Sequence, residues 1–264
     1  MKIDQLKKEA HNTVKLGWFL FLRDFRYRFR QTYFGYIWAV IKPLLSALPI
    51  IIVGNQFDLA KNNPLQVNYA VFSFVGLMLW QVFWDSIVFP QWMLRRTRSI
   101  LKRVPFKYWA VVLAGCFYVL FNLLIYIVLT AMVLIIYKIS PPWTVFLSIF
   151  ALIPLILSGL SIGIFIAPLT LVYLDLRYSL PTLASILLWS VPVAYVTPDK
   201  GLLSLVNRWN PLTFLINTPR AWLISGFNSS DWLFLLSFTL FFALFLGSVK
   251  FYKRAMPLVV EQIV

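Results

Sequence analysis

Four arginines, interleaved with aromatic residues, lie close together near the start of the chain: Arg23, Arg26, Arg28 and Arg30. A guanidinium pairs with a phosphate through a planar fork of N–H donors. The chemistry that this segment offers is therefore the recognition of an anionic head group.

The segment 18–33 that carries these arginines is predicted to form an amphipathic helix. Apolar residues recur in it every three or four positions and would form one stripe, consisting of Trp18, Leu22, Phe25, Phe29 and Tyr33. Arg23, Arg26 and Arg30 would border that stripe. Such a helix lies in the headgroup plane of a membrane, with its rings in the acyl boundary and its guanidiniums toward lipid phosphate. It could serve only as a topology anchor, or as a gate that meets an anionic lipid head.

Two charged residues fall inside predicted membrane spans, where charge is costly and therefore informative. Lys42 and Asp85 both lie roughly 8–9 Å from the same end of their spans, at a rise of ~1.5 Å per residue. Opposite charge at equal depth predicts a salt bridge, or two side chains that reach separately to water. Gln81 shares the face of Asp85, so we expect this face to look into the bundle or a lumen.

Residue types that catalysis needs are sparse. His11 is the only histidine and Cys116 the only cysteine, which excludes a His-rich metal site and an internal disulfide. The acidic residues are scattered, and no Gly-x-x-x-x-Gly-Lys-Ser/Thr motif is present to hold nucleotide phosphates. We expect no catalytic residue, no metal and no cofactor on this chain, so any energy for transport would come from another chain.

The elements that position these residues are predicted to be membrane helices. Of 264 residues, 61% are apolar and only 12% are charged, and the mean hydropathy is +0.80. A soluble domain of this size could not cover so much apolar surface. Segments of about 20 apolar residues predict six spans, which are 37–57, 70–90, 109–137, 143–172, 180–196 and 232–252.

The net charge of +15 would suggest nucleic acid for a soluble chain, but here it is explained by topology. With the N-terminus in the cytoplasm, 18 basic residues fall on the cytoplasmic side of six spans and 5 on the other side. Both termini are therefore predicted to be cytoplasmic, and no nucleic acid is expected. The domain plan is a single unit over 1–264, with an N-terminal part and interfacial helix over 1–36, a bundle over 37–252 and a tail over 253–264.

Two segments outside the spans carry patterns of their own. The cytoplasmic loop 91–108 has six basic residues and no acid, which is explained by orientation alone or by a short helix that docks on a soluble partner. The outer loop 197–231 is too long for a plain connection. Its short apolar stretches, interrupted by proline or glycine, favour interfacial or re-entrant helices before the last span.

The segment 23–45 resembles the start of the membrane subunit of ABC-2 type polysaccharide exporters, a group that moves lipid-linked O-antigen, capsule or teichoic acid. The matching positions are Arg23, Asp24, Arg26, Arg28, Arg30, Gly35, Tyr36, Trp38, Ala39 and Pro43. The outer loop adds Asn210, Pro211 and Arg220. The six-span plan, the basic loop and the long outer loop match as well.

The resemblance implies two copies of this chain and two copies of a separate ATP-binding subunit, which would hold ATP and Mg, in a bacterial inner membrane. It implies that 18–33 is a gate helix, that the outer loop forms gate elements, and that the cargo is a polyprenyl-pyrophosphate- or lipid-linked glycan. The segment 95–104 would be the coupling helix to the ATPase, with the contacting residues Arg95, Arg96, Arg98, Ile100, Leu101, Lys102 and Arg103.

Two other functions remain open at this point. One is an ABC-2 exporter of a smaller lipid or a drug, which would share the six spans but not so readily the pattern of 23–43. The other is an integral-membrane enzyme that acts on polyprenyl-phosphate-linked sugars. That chemistry favours a carboxylate cluster or a histidine near the interface, which the scattered acids do not provide.

Overall fold

A computed structural model describes residues 2–30, 33–57, 65–101, 107–227 and 231–263, and within these ranges every regular element is a helix. A turn of 3₁₀-helix over Gly35–Ile37 precedes the second helix. The α-helices are α1 Lys2–Arg30, α2 Trp38–Gln56, α3 Tyr69–Arg96, α4 Arg98–Leu101, α5 Tyr108–Ile136, α6 Val145–Val172, α7 Asp175–Ser190, α8 Leu202–Trp209, α9 Pro211–Ile224 and α10 Asp231–Ile263.

Five of these helical segments in the described ranges are long and apolar enough to cross a membrane: Gly35–Gln56, Tyr69–Arg96, Tyr108–Ile136, Val145–Val172 and Asp231–Gln262. The expected span over 180–196 is different. Its helix, α7, has 16 residues and ends at Ser190, because Val191 turns extended just before Pro192. A multi-pass membrane protein is confirmed, whereas the count of six spans remains a prediction.

The helix α3 forms the centre of the bundle, with α5 and α6 on its flanks and α2 and α9 beside it. Small residues permit the close approach of α6. A Cβ on Gly159 would overlap the Phe83 carbonyl oxygen, and one on Gly163 would lie 2.7 Å from that of Ile87. Glycines four residues apart are a common way to bring two membrane helices together when no hydrophobic drive exists between them.

Contacts at the helix ends define two ends of the bundle. We call the end where α3 terminates at Arg95 and Arg96 the basic end, and the end where α3 begins the far end. The helix α9 lies at the far end, since its Pro219 carbonyl accepts from Ser148 near the start of α6. The last turns of α10 lie at the basic end, where the Tyr252 hydroxyl donates to the Tyr108 carbonyl.

The N-terminal helix is longer than the predicted segment and packs on α5. Its packing face consists of Gly17, Leu20, Phe21 and Asp24, which are all buried. The predicted apolar stripe coincides with this face only in part: Leu22 and Phe25 pack against the same apolar cluster, whereas Trp18 is exposed and Tyr33 lies beyond the end of the helix. Periodicity found the helix, but it could not show which of its apolar residues meet α5.

The tail predicted over 253–264 does not separate from the last span. The helix α10 continues through Ile263, and Met256 and Val259 are buried in the same apolar cluster as Leu20 and Phe21 of α1. The predicted boundary at 252 marked the end of the apolar stretch, which is not where the helix ends.

Candidate functional site

A cavity of about 350 Å³ lies between α1, α2, α3 and α5. Its polar lining consists of Arg28, Lys42, Gln81, Asp85, Asn122 and Tyr126. The remaining wall is mostly aromatic and includes Phe25, Trp38, Phe89, Tyr118 and Phe121. A site with two cations, one carboxylate and apolar rings suits a ligand that has an anionic part and an apolar part.

The carboxylate of Asp85 is held by two donors from α5. Its Oδ2 accepts from Asn122 Nδ2 at 2.7 Å and from the Tyr126 hydroxyl at 2.8 Å. Lys42 lines the same cavity, but the structure records no salt bridge between the two side chains. The sequence thus placed both residues at the same depth, but it did not identify the side chains that bind Asp85.

Gln81 and Asp85, which were expected to share a face that looks into the bundle or a lumen, both line the cavity. Gln81 also donates from Nε2 to the Ser46 hydroxyl of α2 at 3.2 Å. A signal for the missed partners was present in the sequence. Asn122 and Tyr126 are polar residues four apart within the strongly apolar α5, so they share one helix face.

Of the four clustered arginines, the structure brings only Arg28 to the cavity. Its guanidinium carbon lies 5.5 Å from the centre of the Trp92 ring and 5.8 Å from that of Phe89. Arg23, Arg26 and Arg30 are exposed along α1. Cations placed over rings gain electrostatic energy from the ring quadrupole, which helps to hold Arg28 in this position.

Asp24 is buried and ties three helices together. Its Oδ1 accepts from Arg96 Nη1 of α3 at 2.8 Å, and its Oδ2 accepts from the Tyr118 hydroxyl of α5 at 3.0 Å. The Arg96 guanidinium carbon also lies 4.8 Å from the centre of the Trp92 ring. From sequence, Asp24 was only a motif position and Arg96 a residue for partner contact; the structure places them together at the basic end.

The other motif positions lie around the turn between α1 and α2. Gly35 has a φ of +52°, a conformation that favours glycine, and it allows the chain to reverse into α2. Trp38 and Pro43 line the cavity, and Pro43 is buried. The motif therefore shapes the α1–α2 connection and one wall of the cavity.

The predicted coupling segment begins at the end of α3 and contains the short helix α4, Arg98–Leu101. Within it, Arg98 is exposed, Ile100 and Arg95 are half-buried, and Arg96 is engaged with Asp24. Lys102 and Arg103 lie outside the described residues, as does the rest of the predicted segment to 104. The role of this segment stays a prediction.

Of the three outer-loop positions, two form the start of α9, and the third attaches α9 to the segment that follows α7. The Asn210 side chain caps α9 by accepting from the Leu212 N–H at 3.0 Å, and Pro211 is its first residue. Arg220 is fully buried and donates to the Val193 carbonyl at 2.8 Å and to the Pro192 carbonyl at 3.0 Å. Its guanidinium carbon lies 3.7 Å from the centre of the Phe72 ring of α3.

Burial lowers the pKa of Arg220 to about 9, because removal from water disfavours the charged form. At neutral pH the guanidinium still carries its charge, and the two carbonyls and the ring stabilise it. Arg220 therefore fastens α9 to the segment that follows α7. Sequence alone offered no sign that this arginine would be enclosed.

Within the described residues, no group of three or more His, Cys, Asp or Glu side chains is arranged to hold a metal ion.

No family model matches the chain. It is similar to two O-antigen export system permease proteins RfbA from Klebsiella pneumoniae. One is 25% identical over 82% of this chain and 83% of its own length, and the other is 24% identical over 88% of each. An O-antigen export system permease protein RfbA from Myxococcus xanthus is 23% identical over 75% of this chain and 76% of its own length. These similarities confirm the resemblance to permeases of polysaccharide exporters that the segment 23–45 indicated.

Proposed function

We propose that this chain is the transmembrane subunit of an ATP-driven exporter that moves a lipid-linked polysaccharide across the bacterial inner membrane. The observation that carries the proposal is the similarity to three O-antigen export permeases over 75–88% of the chain. Two copies of the chain would assemble with two ATP-binding subunits that hold ATP and Mg. The absence of a phosphate-binding motif from this sequence supports that division of labour.

The proposed subunit crosses the membrane six times, and α7 is the fifth crossing. Contacts at the helix ends support this assignment of α7. Only two residues separate the end of α6 at Val172 from the start of α7 at Asp175, so α7 starts at the basic end. The residues after α7 meet the far end, since the Ala194 carbonyl accepts from the Tyr69 hydroxyl at 2.7 Å and Arg220 binds Val193. A helix that starts at one end of α3 and leads to the other supports a crossing, after which α8 and α9 lie on the outer side. Both termini are then cytoplasmic.

The cavity is where we place the anionic head of the lipid carrier. Arg28 and Lys42 supply the positive charge, and the rings of Phe25, Phe89 and Phe121 supply apolar surface for the start of the lipid chain. The exposed arginines of α1 lie nearby, where they would attract an anionic head to the membrane surface. Recognition would then involve Arg28 and Lys42 more directly than Arg23 and Arg26.

The test compares two double variants, each expressed in place of the wild-type chain in the bacterium that carries it. Arg28→Ala with Lys42→Ala is expected to lower surface glycan about tenfold or more, since each charge-assisted hydrogen bond contributes about 1.5–3 kcal/mol. Arg23→Ala with Arg26→Ala is expected to lower it less, with normal membrane insertion. Arg254→Ala, an exposed cation on α10 away from the cavity, is the control.

Surface glycan is measured by immunoblot or flow cytometry, and the amount of inserted protein is measured in the same cells. Surface glycan that persists after deletion of the chain would refute the export function itself. Equal export by the wild type and the cavity double variant would refute the cavity as the site of head-group recognition.

A further inference from the structure

A second pocket, of about 460 Å³, lies at the far end, separate from the cavity. It is bounded by the segment 197–199, by α8 and α9, and by Leu233 at the start of α10. Under the proposed topology it opens on the side where the cargo leaves. Nothing in the head-group proposal uses it.

Two buried side chains in its wall have polar atoms without a partner among the described residues. They are the amide nitrogen of Asn207, a residue only 1% exposed, and the hydroxyl of Thr213, a residue 4% exposed. The Tyr195 hydroxyl lies 3.1 Å from the other end of the Asn207 amide and fixes that side chain. Buried polar groups are nearly always paired, so two orphans in the wall of one pocket point to a polar ligand.

The rest of the lining indicates which kind of ligand would fit. Asp199 and Arg208 carry opposite charges, so the pocket has no net preference for an anion or a cation. Amide and hydroxyl groups can both donate and accept, as the vicinal hydroxyls of a sugar do. Phe214 adds an aromatic surface to the wall, which suits the apolar face of a sugar ring.

We infer that this outer pocket binds one sugar residue of the exported glycan, with Asn207 and Thr213 as hydrogen-bonding partners. The inference rests on the proposed function, which supplies the glycan. The volume lies within the range of about 300–1,000 Å³ that small-molecule sites occupy. The pocket would hold the emerging chain briefly as it leaves the membrane.

Protection of a single cysteine tests occupancy directly. In a Cys116→Ala background, Ser204→Cys places a thiol in the pocket wall, and a membrane-impermeant maleimide labels it from outside. We expect slower labelling in cells that synthesise the glycan than in cells whose glycan synthesis is blocked. Ser140→Cys, exposed in the α5–α6 connection at the same end, should label equally in both.

Equal labelling of Ser204→Cys with and without glycan would overturn the inference. Strong protection in both conditions would overturn it as well, because another protein segment, such as one from a second copy of the chain, would then cover the pocket. Neither result touches the proposed function, since surface glycan is scored separately in the same cells.

A second variant separates ligand binding from folding. Thr213→Val keeps the shape of the side chain and removes a hydroxyl that has no partner, so thermal stability should be unchanged or higher. Glycan-dependent protection should weaken about three- to tenfold, the loss expected for one neutral hydrogen bond. Thr170→Val, buried but remote from the pocket, should leave protection unchanged. Full protection in stable Thr213→Val protein would exclude the hydroxyl as a ligand contact.

Discussion

Each end of the bundle holds an arginine by several contacts, and the two ends do so by different chemistry. At the basic end, Arg96 meets the carboxylate of Asp24 and retains 34% of its side-chain exposure. At the far end, Arg220 meets carbonyl oxygens and a ring, with no carboxylate among its recorded partners. An ion pair can be opened by changing one charge, whereas a set of backbone carbonyls holds its cation as long as the backbone stays in place. The basic end is thus built to respond to charge and the far end to hold its shape.

The largest expected effect comes from Arg220. Replacing it with Leu leaves the Pro192 and Val193 carbonyls buried without donors, at a cost of about 1–3 kcal/mol for each group. Arg220→Lys should restore only part of the loss, because an ammonium lacks the planar fork that reaches both oxygens. Thermal unfolding of purified protein measures this, with Arg208→Leu on the exposed side of α8 as the control. An Arg220→Lys variant as stable as the wild type would contradict the carbonyl arrangement.

A smaller loss is expected at the basic end. Asp24→Ala should cost about 2 kcal/mol, mainly because the Tyr118 hydroxyl loses its acceptor, while the partly exposed Arg96 can turn to water. Tyr118→Phe should cost about 1 kcal/mol. Both substitutions remove the same hydrogen bond. The double variant should therefore lose less unfolding free energy than the sum of the losses in the two single variants. Strict additivity in a double-mutant cycle would show that the two side chains do not interact.

The cavity between the two ends should give the smallest effect on stability. Exchanging the charges of Lys42 and Asp85 is expected not to restore the stability of the wild type. Asn122 and Tyr126 donate to the carboxylate, and a lysine at position 85 could not accept from them. Asp85→Asn should cost about 1 kcal/mol, as it retains one acceptor. Recovery of stability by the charge exchange would instead support a direct pair.

Much of this architecture was readable from hydropathy. The predicted spans 37–57, 70–90, 109–137 and 143–172 overlap α2, α3, α5 and α6 almost completely. Hydropathy identifies segments that are long and apolar enough to lie within a hydrocarbon layer. It therefore predicted the positions of these helices. It could not show that α1 begins at Lys2 or that α10 continues to Ile263, because polar helical turns carry no such signal.

The sequence predicted the depth of the charged residues in the membrane but not the side chains that contact them. Equal depth predicted that Lys42 and Asp85 would form a salt bridge or reach separately to water, and in the structure both line one cavity. Which groups touch Asp85 depends on the rotation of α5 about its axis, and that rotation is set by packing against α1 and α3. The enclosure of Arg220 depends on where the chain runs after α7, a tertiary contact that local sequence does not encode.

The helix α10 measures 33 residues, or roughly 50 Å, against a hydrocarbon layer of about 30 Å. It begins at the rim of the outer pocket, where Asp231 accepts from the Trp222 indole, and its Met256 is buried in the same apolar cluster as Leu20 and Phe21 of α1. One continuous helix therefore links the rim of the outer pocket at the far end with an apolar cluster at the basic end. A tilt of α10 at the basic end would therefore also move its first turn beside the outer pocket, without a relay of small side-chain shifts.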